Sequence, residues 1–151
     1  MSETAENAIS EKYLIFAVSD RQYAFPAQVI GEVANCEPFF PLPLLPSYAL
    51  GVIDRYSVPY ALFDIGLLLT NTPGSRNEAL VINKEIDQVA FSIENVSGIA
   101  DITPDKLIKI ETSGPIELNS AVYASFKWNG IDVYVLNIRQ LLTRVAQEAG
   151  K

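Results

Sequence analysis

A chain of 151 residues with formal charge −7 and no histidine has room for one domain or two small ones, and its acidity argues against phosphate backbones and anionic membrane surfaces as partners. The missing histidines remove Ser-His-Asp and Cys-His nucleophiles, histidine metal ligands and histidine phosphoacceptors, and the single cysteine, Cys36, excludes an internal disulfide. The chain is 49% hydrophobic and 19% charged, which is globular rather than disordered.

Residues 1–12 are polar and acidic and read as a mobile tail without the charge-then-apolar pattern of a signal peptide. No apolar run is long enough to span a bilayer, so a cytoplasmic location is expected. YLIFAVSDRQYAF (13–25) predicts two short strands joined at Ser19–Gln22. VIGEV follows, then a proline-rich stretch, PLPLLPSYALGVIDRYSVPY (41–60). Pro43 and Pro46 have the spacing that SH3 domains grasp. Here they sit mid-domain among Phe39, Phe40, Leu42, Leu44 and Leu45, so a rigid, packed crossover is the expectation. SVPYALF reads as extended, and Asp64 stands where a helix N-cap would be, ahead of IGLLL. Asp64 and Asp54 could be viewed as paired carboxylates, but capping explains Asp64 better. Residues 70–78, TNTPGSRNE, have turn and linker composition.

The second half echoes the first. At an offset of 66, QYAFPAQVIGEV (22–33) lies over QVAFSIENVSGI (88–99), with Gln22, Ala24 and Phe25 matched by Gln88, Ala90 and Phe91. Leu14, Ile15 and Phe16 fall on Leu80, Val81 and Ile82. Both halves end alike: Asp64, Ile65 and Leu68-Leu69 parallel Asn137, Ile138 and Leu141-Leu142. The chain therefore reads as two related β units, each closing strand, cap, helix. In DITPDKL, Thr103 before Pro104 predicts one capped turn. In SFKWNGIDVYVL, Asn129-Gly130 is the signature of a type I′ hairpin, which sets Lys127 opposite Asp132 and leaves Ala124, Phe126, Trp128, Ile131, Val133 and Val135 as a core face. Ile138, Leu141, Leu142 and Val145 then follow helical spacing, predicting a C-terminal amphipathic helix. Cys36 beside an aromatic-proline segment reads as a small buried apolar group. The glycines are isolated, so no phosphate loop is present.

The order of these pieces, over about residues 12–145, resembles the chemotaxis coupling protein family, CheW. The resemblance is carried by YLIFAVSDRQYAFPAQVIGEV with Ile30-Gly31-Glu32-Val33 as the V-x-E-I motif, PLPLLPSYALGVI, ALFDIGLLL, ENVSGIADITPDKLIKI and KWNGIDVYVLNIRQLL. It implies a mainly β fold of two small SH3-like five-stranded barrels, of about 13–75 and 76–150 with possible strand exchange, plus short helices and the C-terminal helix. It implies a non-enzymatic adaptor with no catalytic residue, cofactor or metal. Its partners would be the cytoplasmic tip of a chemoreceptor and the regulatory domain of the chemotaxis histidine kinase, not nucleic acid, and it would be recruited to receptor arrays without inserting into the membrane. The alternatives are an adaptor of a chemosensory-like pathway such as twitching motility, or a small-molecule-binding β-barrel. By resemblance the receptor groove involves Ile30, Glu32, Gly51, Ile53, Arg55 and Tyr56. One departure stands out. The family follows G-V-I with N-L-R-G, whereas this chain reads Asp54-Arg55-Tyr56-Ser57. Tyr56 then takes the arginine's place, and the expectation is Tyr56 at the groove with no Arg55–Glu32 pair.

Overall fold

A computed structural model describes residues 9–110 and 121–149. In chain order it holds β1 (Glu11–Val18), β2 (Arg21–Pro26), β3 (Ile30–Asn35), β4 (Ala49–Arg55), β5 (Val58–Asp64), α1 (Ile65–Thr70), β6 (Glu78–Ile82), β7 (Val89–Ile93), β8 (Asn95–Ile102), β9 (Ile108–Lys109), β10 (Val122–Trp128), β11 (Ile131–Leu136) and α2 (Ile138–Ala149). β1 begins at Glu11, inside the stretch read as tail; residues 1–8 of that stretch lie outside the described residues. The first hairpin turns at Ser19-Asp20 alone, because Val18 pairs with Arg21.

The strands form two sheets, ordered β8-β1-β2-β11-β10-β9 and β3-β6-β7-β5-β4. Each is a mainly antiparallel meander with one parallel pairing, β2 with β11 and β5 with β7. The first sheet has six strands instead of the expected five, because the two-residue β9 extends it beside β10. Neither sheet comes from one half of the sequence. β3 pairs with β6, and β8 pairs with β1.

The repeat at offset 66 appears in the hydrogen-bond register. Leu14↔Phe25 in one sheet corresponds to Leu80↔Phe91 in the other. Even the irregularities repeat: β3 bulges between Ile30 and Glu32, and β8 bulges between Val96 and Gly98.

Burial follows from this layering. β1 is buried on both faces, which is why it reads as a continuous apolar run. Leu14, Phe16 and Val18 face a shared core with Phe25, Leu80, Ile82, Phe91 and the helix residues Ile65, Leu68, Ile138, Leu141 and Val145. Tyr13 and Ile15 face the interior of the first sheet with Ala24, Phe126, Val133 and Val135. The second sheet closes on Cys36, Ile53, Tyr60, Leu62, Val81 and Ala90. These two inner cores correspond at most positions, Ile53 matching Phe126 and Leu62 matching Val135.

The caps follow the sequence in part. Asp64 Oδ1 accepts from Leu67 N–H at 3.2 Å and starts α1. Asn137 Oδ1 accepts from Arg139 and Gln140 N–H at 3.0 and 3.1 Å and starts α2. Thr103 precedes a single 3₁₀ turn with Pro104 at its start, but its side chain makes no capping bond. Lys127 lies opposite Asp132, with Nζ to Oδ1 at 2.9 Å. Ile131 is an exception on the expected core face: at the hairpin end it is 49% exposed.

Candidate functional site

The mouth of the second sheet is where the sequence expectation and the structure part. Beyond its bulge, β3 turns Glu32 and Ala34, both half-buried, toward the inner core, and the buried Cys36 follows just past its end. Along β4, Ile53 is buried in that core and Arg55, two residues on, shares its face. The two rows therefore end together in Glu32 and Arg55 at the open end of the barrel. Arg55 Nε donates to Glu32 Oε1 at 3.1 Å and Nη2 to Glu32 Oε2, a bidentate pair. The expectation that Arg55 and Glu32 stay apart is thus overturned. Its error was to lay β4 without a gap on the N-L-R-G spacing of the family it resembles. The inward row Gly51, Ile53, Arg55 already carries the arginine to the mouth, and no bulge between Gly51 and Arg55 is needed.

The pair is half-buried and electrostatically matched. The hydrogen bond from Arg55 holds the Glu32 carboxyl below the usual carboxylate range despite partial desolvation. The same contact raises the Arg55 guanidinium. Tyr56 lies at the tip of the β4–β5 turn, 83% exposed, with its ring centroid 5.1 Å from the Arg55 guanidinium carbon. Tyr56 and Ser57 both have positive φ, 55° and 67°, so the D-R-Y-S segment is a two-residue hairpin turn and not a bulge.

The first sheet solves the same problem with different chemistry. By the repeat, Gly98 stands where Glu32 does and Trp128 where Arg55 does. The Trp128 ring lies over Gly98, so close that a Cβ there would fall 2.9 Å from Cζ2. One barrel is lidded by an ion pair and the other by an indole.

The remaining candidates divide by the bulge and by burial. Ile30 pairs with Ile82, while Glu32 pairs with the next residue, Val81. The extra residue, Gly31, flips the face, so Ile30 packs on the shared core and Glu32 points the other way. Gly51 and Ile53 are buried. Gly51 has φ 150°, and a Cβ there would overlap the Phe40 carbonyl. They support the face from beneath. The structure brings Glu32, Arg55 and Tyr56 together at the surface and leaves Ile30, Gly51 and Ile53 under it.

The proline segment corrects another expectation. It is not packed: every residue from 41 to 47 is exposed, Leu44 fully so at φ 61°. Its start is tied down where Phe40 and Val52 exchange two backbone hydrogen bonds of 2.7 and 2.9 Å, and its end where the Pro46 carbonyl accepts from Ala49 N–H at 2.9 Å. The prolines need no ladder partners, so the loop can stand off the sheet. Composition made this stretch look like core; main-chain bonding decided otherwise. Beside the loop lies a cleft of about 620 Å³ bordered by Val33, Asn35, Phe40, Ile53 and Asp54.

Chemical groups elsewhere are structural. Asp64 is fully buried, caps α1, and also accepts from Gly74 N–H at 3.2 Å and Arg76 Nη2 at 3.4 Å. Asp54 is exposed on β4 and does not pair with it. Cys36 is buried, and burial pushes its thiol up, away from the reactive thiolate. Among the described residues, both barrel interiors are filled by side chains.

The fold is two interlocked β-barrels on a shared core, with lidded mouths and an exposed apolar loop. The family model described as the CheW-like domain matches residues 12–146, and the chain belongs to that family. Its fold is similar to the scaffolding protein TtCheW from Thermoanaerobacter tengcongensis, with a TM-score of 0.78 over 88% of each chain at 11% identity. No curated protein matches it by sequence. At family level the chain is a chemotaxis scaffold or adaptor and not an enzyme. No described helix is long and apolar enough to cross a membrane.

Proposed function

We propose that this protein couples chemoreceptors to a chemotaxis histidine kinase, docking the receptor's cytoplasmic tip and the kinase's regulatory domain from the cytoplasm. The observation that carries this reading is the Glu32–Arg55 pair at the mouth of the second barrel, kept despite the altered D-R-Y-S segment. Half-exposed ion pairs add little stability, so a bidentate pair retained there fits a surface read by a partner. Tyr56 supports it: a bulky residue at positive φ costs stability, and the ring is spent on solvent and on Arg55. In this reading Glu32, Arg55 and Tyr56 form the contact face, while Ile30, Gly51 and Ile53 hold it in shape.

Co-precipitation from the source cell tests the proposal. The wild-type protein should recover a chemoreceptor and a histidine kinase. Arg55→Glu should lower receptor recovery by about tenfold, equivalent to about 1.4 kcal/mol, with little change in melting temperature. Recovery of neither partner by the wild type sinks the coupling role. Undiminished recovery by Arg55→Glu removes the ion-pair face from it.

A further inference from the structure

The second barrel is not closed by hydrogen bonds. β3 and β4 are the two edges of its five-stranded sheet and are not bonded to each other as strands. The cleft beside the proline loop is lined by residues of both edges. The direction of their main-chain groups can be read from the ladder. Asn83 N–H donates to the Val29 carbonyl at one end of β3, and Cys36 N–H donates to the Asn77 carbonyl at the other. With the bulge between them, Glu32 and Ala34 turn their main-chain groups to β6, and Val33 and Asn35 turn theirs outward. Val33 and Asn35 are exposed, and neither makes a backbone hydrogen bond outside the ladder among the described residues. On β4, Val52 points outward to Phe40, so Asp54 also points outward. Two strand edges thus face one cleft, that of β3 open at Val33 and Asn35 and that of β4 already bridged at Val52 by Phe40.

Unpaired strand edges are templates for an added strand, and natural proteins usually cover or charge them. This seam is charged with one sign. Glu37, Asp54 and Glu78 border the cleft, with Glu78 Oε1 also accepting from Val96 N–H at 3.0 Å, and the cation among its lining residues, Arg55, is already engaged by Glu32. Val33 and Phe40 supply exposed apolar surface between the carboxylates, 39% and 60% exposed.

We propose that the β3–β4 seam binds an extended, cationic segment of a partner protein, added as a strand to the β3 edge. Its main chain would bond Val33 and Asn35. Its apolar side chains would lie on Val33 and Phe40, and its lysine or arginine residues would meet Glu37, Asp54 and Glu78. The seam adjoins the Glu32–Arg55 face but does not depend on the coupling role. Failure of peptide binding leaves the co-precipitation result standing, and the reverse also holds.

The test uses a short end-capped peptide of alternating valine and lysine, titrated into the full chain and followed by amide NMR. Saturable shifts centred on Val33, Asn35 and Asp54 are expected. The peptide N-methylated at every second residue should bind at least about tenfold more weakly, and the glutamate counterpart should not bind. Asn35→Pro deletes an outward N–H without touching the β6 ladder, a placement edge strands tolerate, and should abolish binding. Asp54→Lys, an exposed change, should weaken binding even if Asn35→Pro fails to fold. The proposal is overturned if the lysine peptide does not bind, if the N-methylated peptide binds equally well, or if the shifts lie elsewhere.

Discussion

Glu32 and Arg55 show how one pair is positioned by two rows of core residues and then tuned by its own contact. At neutral pH, Arg55→Ala should lower stability by no more than about 1 kcal/mol, since both side chains are partly solvated. Its acid behaviour should be more telling. Arg55 depresses the folded-state pKa of Glu32, so the pair's contribution is present above the ordinary carboxylate range and lost as pH falls through the lowered value. Urea unfolding across that acid window should show a shallower pH dependence in Arg55→Ala than in the wild type; identical slopes would deny the coupling. Ile30 gives the opposite case. It packs on the shared core, so Ile30→Asp should cost about 2 kcal/mol or more by burying a carboxylate edge without a partner. A melting temperature unchanged by that substitution would mean Ile30 faces solvent after all. The local pattern around Glu32 could not reveal this, because a bulge is invisible to simple alternation.

Two hairpin turns occupy equivalent places and carry unequal residues. Asn129-Gly130 has φ of 52° and 78°, as the type I′ signature requires. Tyr56-Ser57 adopts the same region with residues that disfavour it. Tyr56-Ser57→Asn-Gly should therefore raise stability by about 1–2 kcal/mol, and Asn129-Gly130→Ala-Ala should lower it by about 1–2 kcal/mol per residue. Thermal melts of the two variants should shift in opposite directions. The second hairpin was legible from its dipeptide. The first was hidden because tyrosine and serine carry no turn signal of that type. The same asymmetry holds for the linking loops. The prolines of residues 41–46 announced a break in the ladder, but their exposure depended on how Phe40 is clipped to Val52.

At the scale of the molecule the two halves are interlocked. Each sheet takes an inner two-stranded hairpin from the other half, β1–β2 between β8 and β11 and β6–β7 between β3 and β5, and the largest core draws on both. Residues 1–75 and 76–151 expressed separately should each lack dispersed amide resonances, because each would lose the two-stranded hairpin that joins the remaining strands of its sheet. Mixing or co-expressing them should restore a folded complex. A half that folds by itself would show that the exchange is dispensable. Interlocking also ties the ion-pair face to the whole fold, since Glu32 lies on a strand whose ladder partner is β6.

The sequence by itself determined the β character, the internal repeat, both helix caps and the Asn129-Gly130 hairpin. Each of these rests on neighbours close in the chain or on periodicity within one element. The likeness of successive motifs also pointed to the family. Tertiary structure alone decided that β3 and β8 change partners, that Arg55 reaches Glu32, that Trp128 lids Gly98 in the matching place, and that the proline loop stands in solvent. Those outcomes depend on register between strands far apart in sequence, where a single bulged residue, Gly31, exchanges the inside of a barrel for its outside.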